Sequence, residues 1–166
     1  MIKAYINFWK LALKSEGRSS RSDYWWAFLV NSIIRAVIIF IDFIIIFGEF
    51  AKRITSDTTP ADVQQITQEV LTHLPSSAMA VQIIGTVFSL LIMIPVTTLT
   101  ARRLRDAGYS PALAYPLPAI YLAIAVQQFV FIPILSNIMI IANVYAIVLL
   151  VLCAKKTSDP ALERKI

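Results

Sequence analysis

The sequence predicts an all-α membrane protein: a four-transmembrane-helix bundle with an N-terminal amphipathic interfacial helix and both termini cytoplasmic. Three observations carry that prediction. Apolar residues make up 58% of the chain and charged residues 15%, against roughly 25% charged in a soluble domain. The apolar residues form long continuous runs rather than the alternating pattern of a transmembrane barrel. The basic residues stand beside those runs and are unequally shared between successive connections. The 166 residues are expected to form one integral membrane domain.

The first element is a short helix over about residues 2–14. Ile2, Tyr5, Ile6, Trp9 and Leu13 fall on one helical face, and Lys3, Asn7, Lys10 and Lys14 on the other. A basic helix with an aromatic-rich face suits the membrane interface, and a helix packed on the bundle would show the same spacing. No cleavable leader is expected, since the first long apolar run begins only at Tyr24.

The first span is expected at about 24–47, which at the helical rise is about 36 Å and crosses a hydrocarbon core of about 30 Å with some tilt. Tyr24, Trp25 and Trp26 stand where an aromatic belt would anchor its entry. An outer polar segment follows, about 48–77. Within it Thr59-Pro60-Ala61-Asp62 reads as a helix start, with Thr59 as N-cap and Pro60 in the first turn. The second span is expected at about 78–100, with a kink at Pro95.

Residues 112–154 contain no charge at all. As one straight helix they would measure about 63 Å, twice what a bilayer needs. A reversal near Pro133 gives a third span at about 112–132 and a fourth at about 134–154.

Orientation follows from the charges. Lys3, Lys10, Lys14, Arg18 and Arg21 precede the first span. Arg102, Arg103 and Arg105 separate the second from the third, and Lys155, Lys156, Arg164 and Lys165 follow the fourth. Only Lys52 and Arg53 lie on the other side, so twelve basic residues face two and the crowded side is the cytoplasm. The net charge of +5 is therefore read as topology and lipid attraction, and nucleic acid is set aside as a partner.

Two blocks on that side stand out: Gly17-Arg18-Ser19-Ser20-Arg21-Ser22-Asp23-Tyr24-Trp25-Trp26, and Arg102-Arg103-Leu104-Arg105-Asp106-Ala107-Gly108-Tyr109-Ser110. Together they resemble the bacterial inner-membrane family catalogued as domain of unknown function 805. Its members pair a Gly-Arg-x-x-Arg-x-acid-Tyr-Trp entry with a later Arg-Arg-Leu-(His or Arg)-Asp-x-Gly motif. The resemblance covers roughly residues 5–110. After Gly108 this chain departs from it, with Tyr109-Ser110-Pro111-Ala112 where members often carry Ser-Gly-Trp-Trp. The resemblance implies the cytoplasmic (inner) membrane of a bacterium and supplies no mechanism.

Read physically, Arg18, Arg21, Arg102, Arg103 and Arg105 are candidates for binding an anionic lipid headgroup or phosphate, because guanidinium offers planar two-point recognition of such groups. The plainer account is a structural clamp, in which those arginines pair with the nearby acids Asp23 and Asp106. A second constellation lies within the spans. Arg35 stands roughly 15 Å from either end of the first span, where insertion costs at least ~2.5 kcal/mol. Asn31, Arg35 and Asp42 share its helical face, and Asn143, with Ser89, counts to the depth of Arg35. Gln82, Gln127 and Asn137 count to the depth of Asp42, so a polar seam is expected, either fixing helix register or passing a solute.

No enzyme signature is present. His73 is the sole histidine and Cys153 the sole cysteine, which excludes a Cys–His or multi-His zinc set and an internal disulfide. Four glycines form no phosphate-cradling fingerprint, and no histidine lies at a serine's depth to activate it. The expected function is accordingly non-enzymatic, without cofactor or metal, with anionic membrane lipids as partners. A small transporter or channel subunit using the Arg35–Asp42 seam is the alternative, as a homo-oligomer because four helices enclose little space. An enzyme acting on lipid through Asp and Arg alone is the third reading.

Overall fold

The computed structural model describes residues 2–54, 58–130 and 133–157. Arg164 and Lys165, counted above among the inner charges, lie outside the described residues. So do residues 131 and 132, at the expected reversal. The order is α1 (Ile2–Lys10), α2 (Arg21–Arg53), α3 (Pro60–Thr72), α4 (Ser76–Asp106), a 3₁₀ turn (Pro111–Ala114), α5 (Leu117–Gln127) and α6 (Pro133–Ala154). There is no strand among the described residues.

Three helices are long and apolar enough to cross a membrane: Arg21–Arg53, Ser76–Asp106, and α6 over Asn137–Ala154. They contain the expected first, second and fourth spans. The expected third span, 112–132, takes another form. Its described residues form the 3₁₀ turn followed by α5, whose 11 residues measure about 17 Å. Pro111, Pro116 and Pro118 explain this, since each lacks the N–H that a helix interior requires.

The chain folds as two compact units. One is built from the N-terminal stretch through Asn31 together with the chain from Phe88 onward. Its core gathers Phe8 of α1, Tyr24 and Ala27 of α2, Leu99 and Leu104 of α4, Leu117 of α5, and Leu149 and Cys153 of α6. Tyr24 is therefore a core residue rather than a belt residue, and Trp25 beside it is the exposed ring. α5 packs on α6, and the Tyr145 hydroxyl donates to the Leu113 carbonyl. In α1 the buried residues are Ala4 and Phe8, and half-buried Tyr5 packs against the same core, so of the expected apolar face only Tyr5 packs while Ile2, Ile6, Trp9 and Leu13 stay exposed.

The other unit is Ser32–Val87. α3 begins at the expected place with a complete capping box: Asp62 N–H donates to Thr59 Oγ1 at 3.3 Å and Thr59 N–H to Asp62 Oδ2 at 2.8 Å. Bonds from the Thr59 hydroxyl and then its backbone N–H hold the Asp62 carboxyl below the usual aspartate range. Val70 of α3 is buried, and with Thr67 it closes an apolar recess of about 150 Å³ lined by Phe43, Ile46, Phe47 and Phe50 of α2. An Arg53–Glu69 ion pair of 3.0 Å ties the end of α2 to α3. Deeper in the unit α2 and α4 approach closely at Gly85, where an added Cβ would lie 3.2 Å from Ile38 Cγ2.

Candidate anion-binding face

The first unit carries the two sequence blocks, and local capping explains where they stand. Ser20 caps α2: its Oγ accepts from Asp23 N–H at 3.1 Å, and its carbonyl starts the helix at Tyr24. Asp23 then lies in the first turn, where the helix dipole favours an acid. α4 ends in a Schellman closure. Gly108 takes φ 83°, its N–H bonds the Arg105 carbonyl at 3.2 Å, and Tyr109 N–H bonds the Leu104 carbonyl at 2.8 Å. The glycine of the second block is thus a helix stop that needs a left-handed residue.

Between those caps the arginines divide by what they bind. Arg103 is wholly buried. Its Nε donates to the Cys153 carbonyl at 2.9 Å, one terminal nitrogen to Asp106 and the other to the Lys155 carbonyl. Asp106 also accepts from Thr157 Oγ1 at 3.0 Å. Arg103 and Asp106 therefore close the carbonyl end of α6 onto α4, a basic group satisfying carbonyls that a helix C-terminus leaves open. Arg105 acts similarly on the α1–α2 connection, with Nη1 donating to the Ser15 carbonyl at 2.8 Å and the Gly17 carbonyl at 2.9 Å. Thr98 Oγ1 adds a bond to the Ala12 carbonyl at 2.9 Å.

Arg102 is different. It is only 3% exposed, yet its Nε makes one long bond of 3.4 Å to the Thr98 carbonyl. Its Nη2 is enclosed and has no hydrogen-bond partner among the described residues. Asp23 supplies an opposite charge through space. Arg18 is exposed, and half-buried Arg21 lies near enough to Arg103 for their like charges to repel. The structure thus gathers all five arginines and both acids in one unit, but Asp106 serves Arg103 while Asp23 lies by Arg102.

Several members of this cluster left no mark in the sequence. The acceptors for Arg103 and Arg105 are main-chain carbonyls, which any residue carries. Cys153, singled out in the sequence only as the sole cysteine, contributes its carbonyl to Arg103, and its thiol lies in a hydrogen-bonding group with the hydroxyls of Tyr24 and Thr100. Lys155 bonds the Tyr109 hydroxyl at 2.5 Å, with its ammonium 5.2 Å above the Tyr109 ring.

The expected seam residues fall in both units. In the first, Asn31 and Asn143 each turn their amides back to their own helix, donating at 2.8 Å to the carbonyls of Ala27 and Met139. In the second, Arg35 and Asp42 are half-buried. Asp42 Oδ1 and Thr86 Oγ1 are enclosed without a hydrogen-bond partner among the described residues. No group of metal-binding side chains occurs among the described residues.

Long apolar helices with outward apolar side chains, closed at one end by arginines, define the class of helical membrane proteins. Within that class the chain belongs to the family described as Protein of unknown function (DUF805), whose model matches residues 12–162. The match extends the resemblance of residues 5–110 through α5 and α6. No curated protein matches the chain, and no solved structure does.

Proposed function

We propose that this is a multi-pass protein of a bacterial cytoplasmic membrane, non-enzymatic, whose arginine-bearing face binds anionic lipid headgroups. The observation that carries the reading is Arg102, a buried guanidinium with an unbonded nitrogen beside two other arginines of the same face. An unsatisfied buried donor costs about 1–3 kcal/mol, more for a charged group, and a phosphodiester oxygen is the acceptor that a membrane surface supplies. Arg103 and Arg105 hold the face together, while Arg102 and Arg18 meet the lipid. The positive-inside asymmetry supports a cytoplasmic location for this face and for both termini, with α5 and its flanking residues completing a fourth crossing.

Native mass spectrometry of the detergent-purified protein tests this. Phosphatidylglycerol or cardiolipin should be retained over phosphatidylethanolamine, and Arg18→Gln with Arg102→Gln should remove the preference while the protein stays folded. Equal retention of all lipids by the parent protein rules the reading out.

The enclosed oxygens of Asp42 and Thr86 favour a second reading, a transporter or channel subunit acting as a homo-oligomer. Neutralising Arg35 separates the two, since it would abolish transport and leave lipid retention intact.

A further inference from the structure

α1 has two apolar faces. Ala4 and Phe8 point into the first unit, with Phe8 only 1% exposed. At 100° per residue, Ile2, Ile6 and Trp9 fall in a narrow arc on the opposite side of the helix, and Leu13 stands in the turn that follows it. They are 73%, 45%, 40% and 83% exposed, so nothing among the described residues covers them. Lys3 and Lys10 are exposed along one flank of that stripe, Lys14 is exposed just after the helix, and residues 2–14 contain no acid. The orientation is fixed from both ends of the segment. Phe8 anchors the helix, and Thr98 and Arg105 hold the carbonyls of Ala12, Ser15 and Gly17. The helix therefore cannot roll to hide the stripe without giving up its core contact and three hydrogen bonds.

We infer that α1 with the turn after it is a charge-dependent membrane anchor, whose Ile2, Ile6, Trp9 and Leu13 side chains insert at the headgroup–acyl boundary of an anionic leaflet while its lysines meet the lipid phosphates. The occupant is the lipid surface. The bonds from Thr98 and Arg105 fix the end of α1 to the same end of α4 at which α2 begins, and four exposed apolar side chains beside lysines complement anionic lipid. Each lysine near such a surface contributes about a fivefold factor to partitioning, so three contribute on the order of a hundredfold, screened by salt. The inference rests on the membrane reading of the long helices and not on the arginine site.

The test uses the full chain with Cys153→Ser and a single environment-sensitive fluorophore at Ile6→Cys, Leu13→Cys or, as the solvent control, Asn7→Cys. Each variant is reconstituted in nanodiscs of phosphatidylcholine with or without phosphatidylglycerol. With phosphatidylglycerol, positions 6 and 13 should shift to the blue and lose iodide quenching while position 7 stays quenched. Added salt, or Lys3→Gln with Lys10→Gln and Lys14→Gln, should reverse the shift. Positions 6 and 13 remaining quenched in anionic discs would overturn the inference. So would equal protection in both lipids that ignores the lysine substitutions. Ready disulfide-linked dimerisation of the Leu13→Cys variant in native membranes would assign the stripe to a second copy instead and overturn it too. Retention of anionic lipid by the purified protein would stand through any of these failures, which keeps the two readings separable.

Discussion

Arg103 on α4 donates its Nε to the main-chain carbonyl of Cys153 on α6, 2.9 Å away and fifty residues along the chain. With its bonds to Asp106 and the Lys155 carbonyl, this one side chain closes the end of the first unit. It also explains why a basic motif on the crowded side of the chain is not simply a patch of surface charge. The arginine beside it, Arg102, turns to a different environment and is left short of acceptors.

Removing Arg103 should be among the most damaging single changes in the molecule. Arg103→Gln leaves Asp106 buried without its cation, a loss of about 3–5 kcal/mol for a broken buried pair. Arg103→Lys should rescue little, because one ammonium cannot reach the Cys153 carbonyl, the Lys155 carbonyl and Asp106 together. Arg105→Gln, which frees only the connection before α2, should cost less. Thermal unfolding in detergent of the three variants gives the ranking.

The close approach of α2 and α4 gives a second prediction. A Cβ at position 85 would meet Ile38 Cγ2 at 3.2 Å, and that branch can yield a few tenths of an ångström. Gly85→Ala should therefore be nearly neutral. Gly85→Leu should lose about 1–3 kcal/mol through overpacking, measured in the same unfolding assay.

The start of α3 could be read because Thr59, Pro60 and Asp62 act on their immediate neighbours, and the apolar runs marked three long helices by composition alone. Phe8 was harder. Its spacing belongs to a second apolar face of α1, and only the neighbours it meets decide which face packs. The division among the arginines was invisible, since Arg103 and Arg105 bind main-chain carbonyls brought near by the fold. Tyr24 was read for its amphipathic ring, yet its hydroxyl lies with Thr100 and Cys153 in the core. The prolines at 111, 116 and 118 shorten the helix that the charge-free length of 112–154 alone suggests.

The capping box of α3 should confer a pH dependence confined to that helix. Asp62 has its carboxyl held below the usual aspartate range, so the ionised form is the one that favours the folded cap. The contribution is fully present above the unfolded value of about 4 and is lost as pH falls through the lower folded value. Amide exchange across α3 should therefore be protected at neutral pH and lose protection in acid. Asp62→Asn should remove the acid-dependent step, and Thr59→Ala should weaken α3 at every pH.

The central claim is that the long helices cross a bilayer and bring the arginine-bearing end to the cytoplasm. It is tested most directly by impermeant thiol labelling of intact cells, in a Cys153→Ser background. The reporters are exposed positions on α3 and after α4, Gln65→Cys and Ala112→Cys. Position 65 should label from outside, and position 112 only once the membrane is opened. Labelling of both positions from outside would contradict the account.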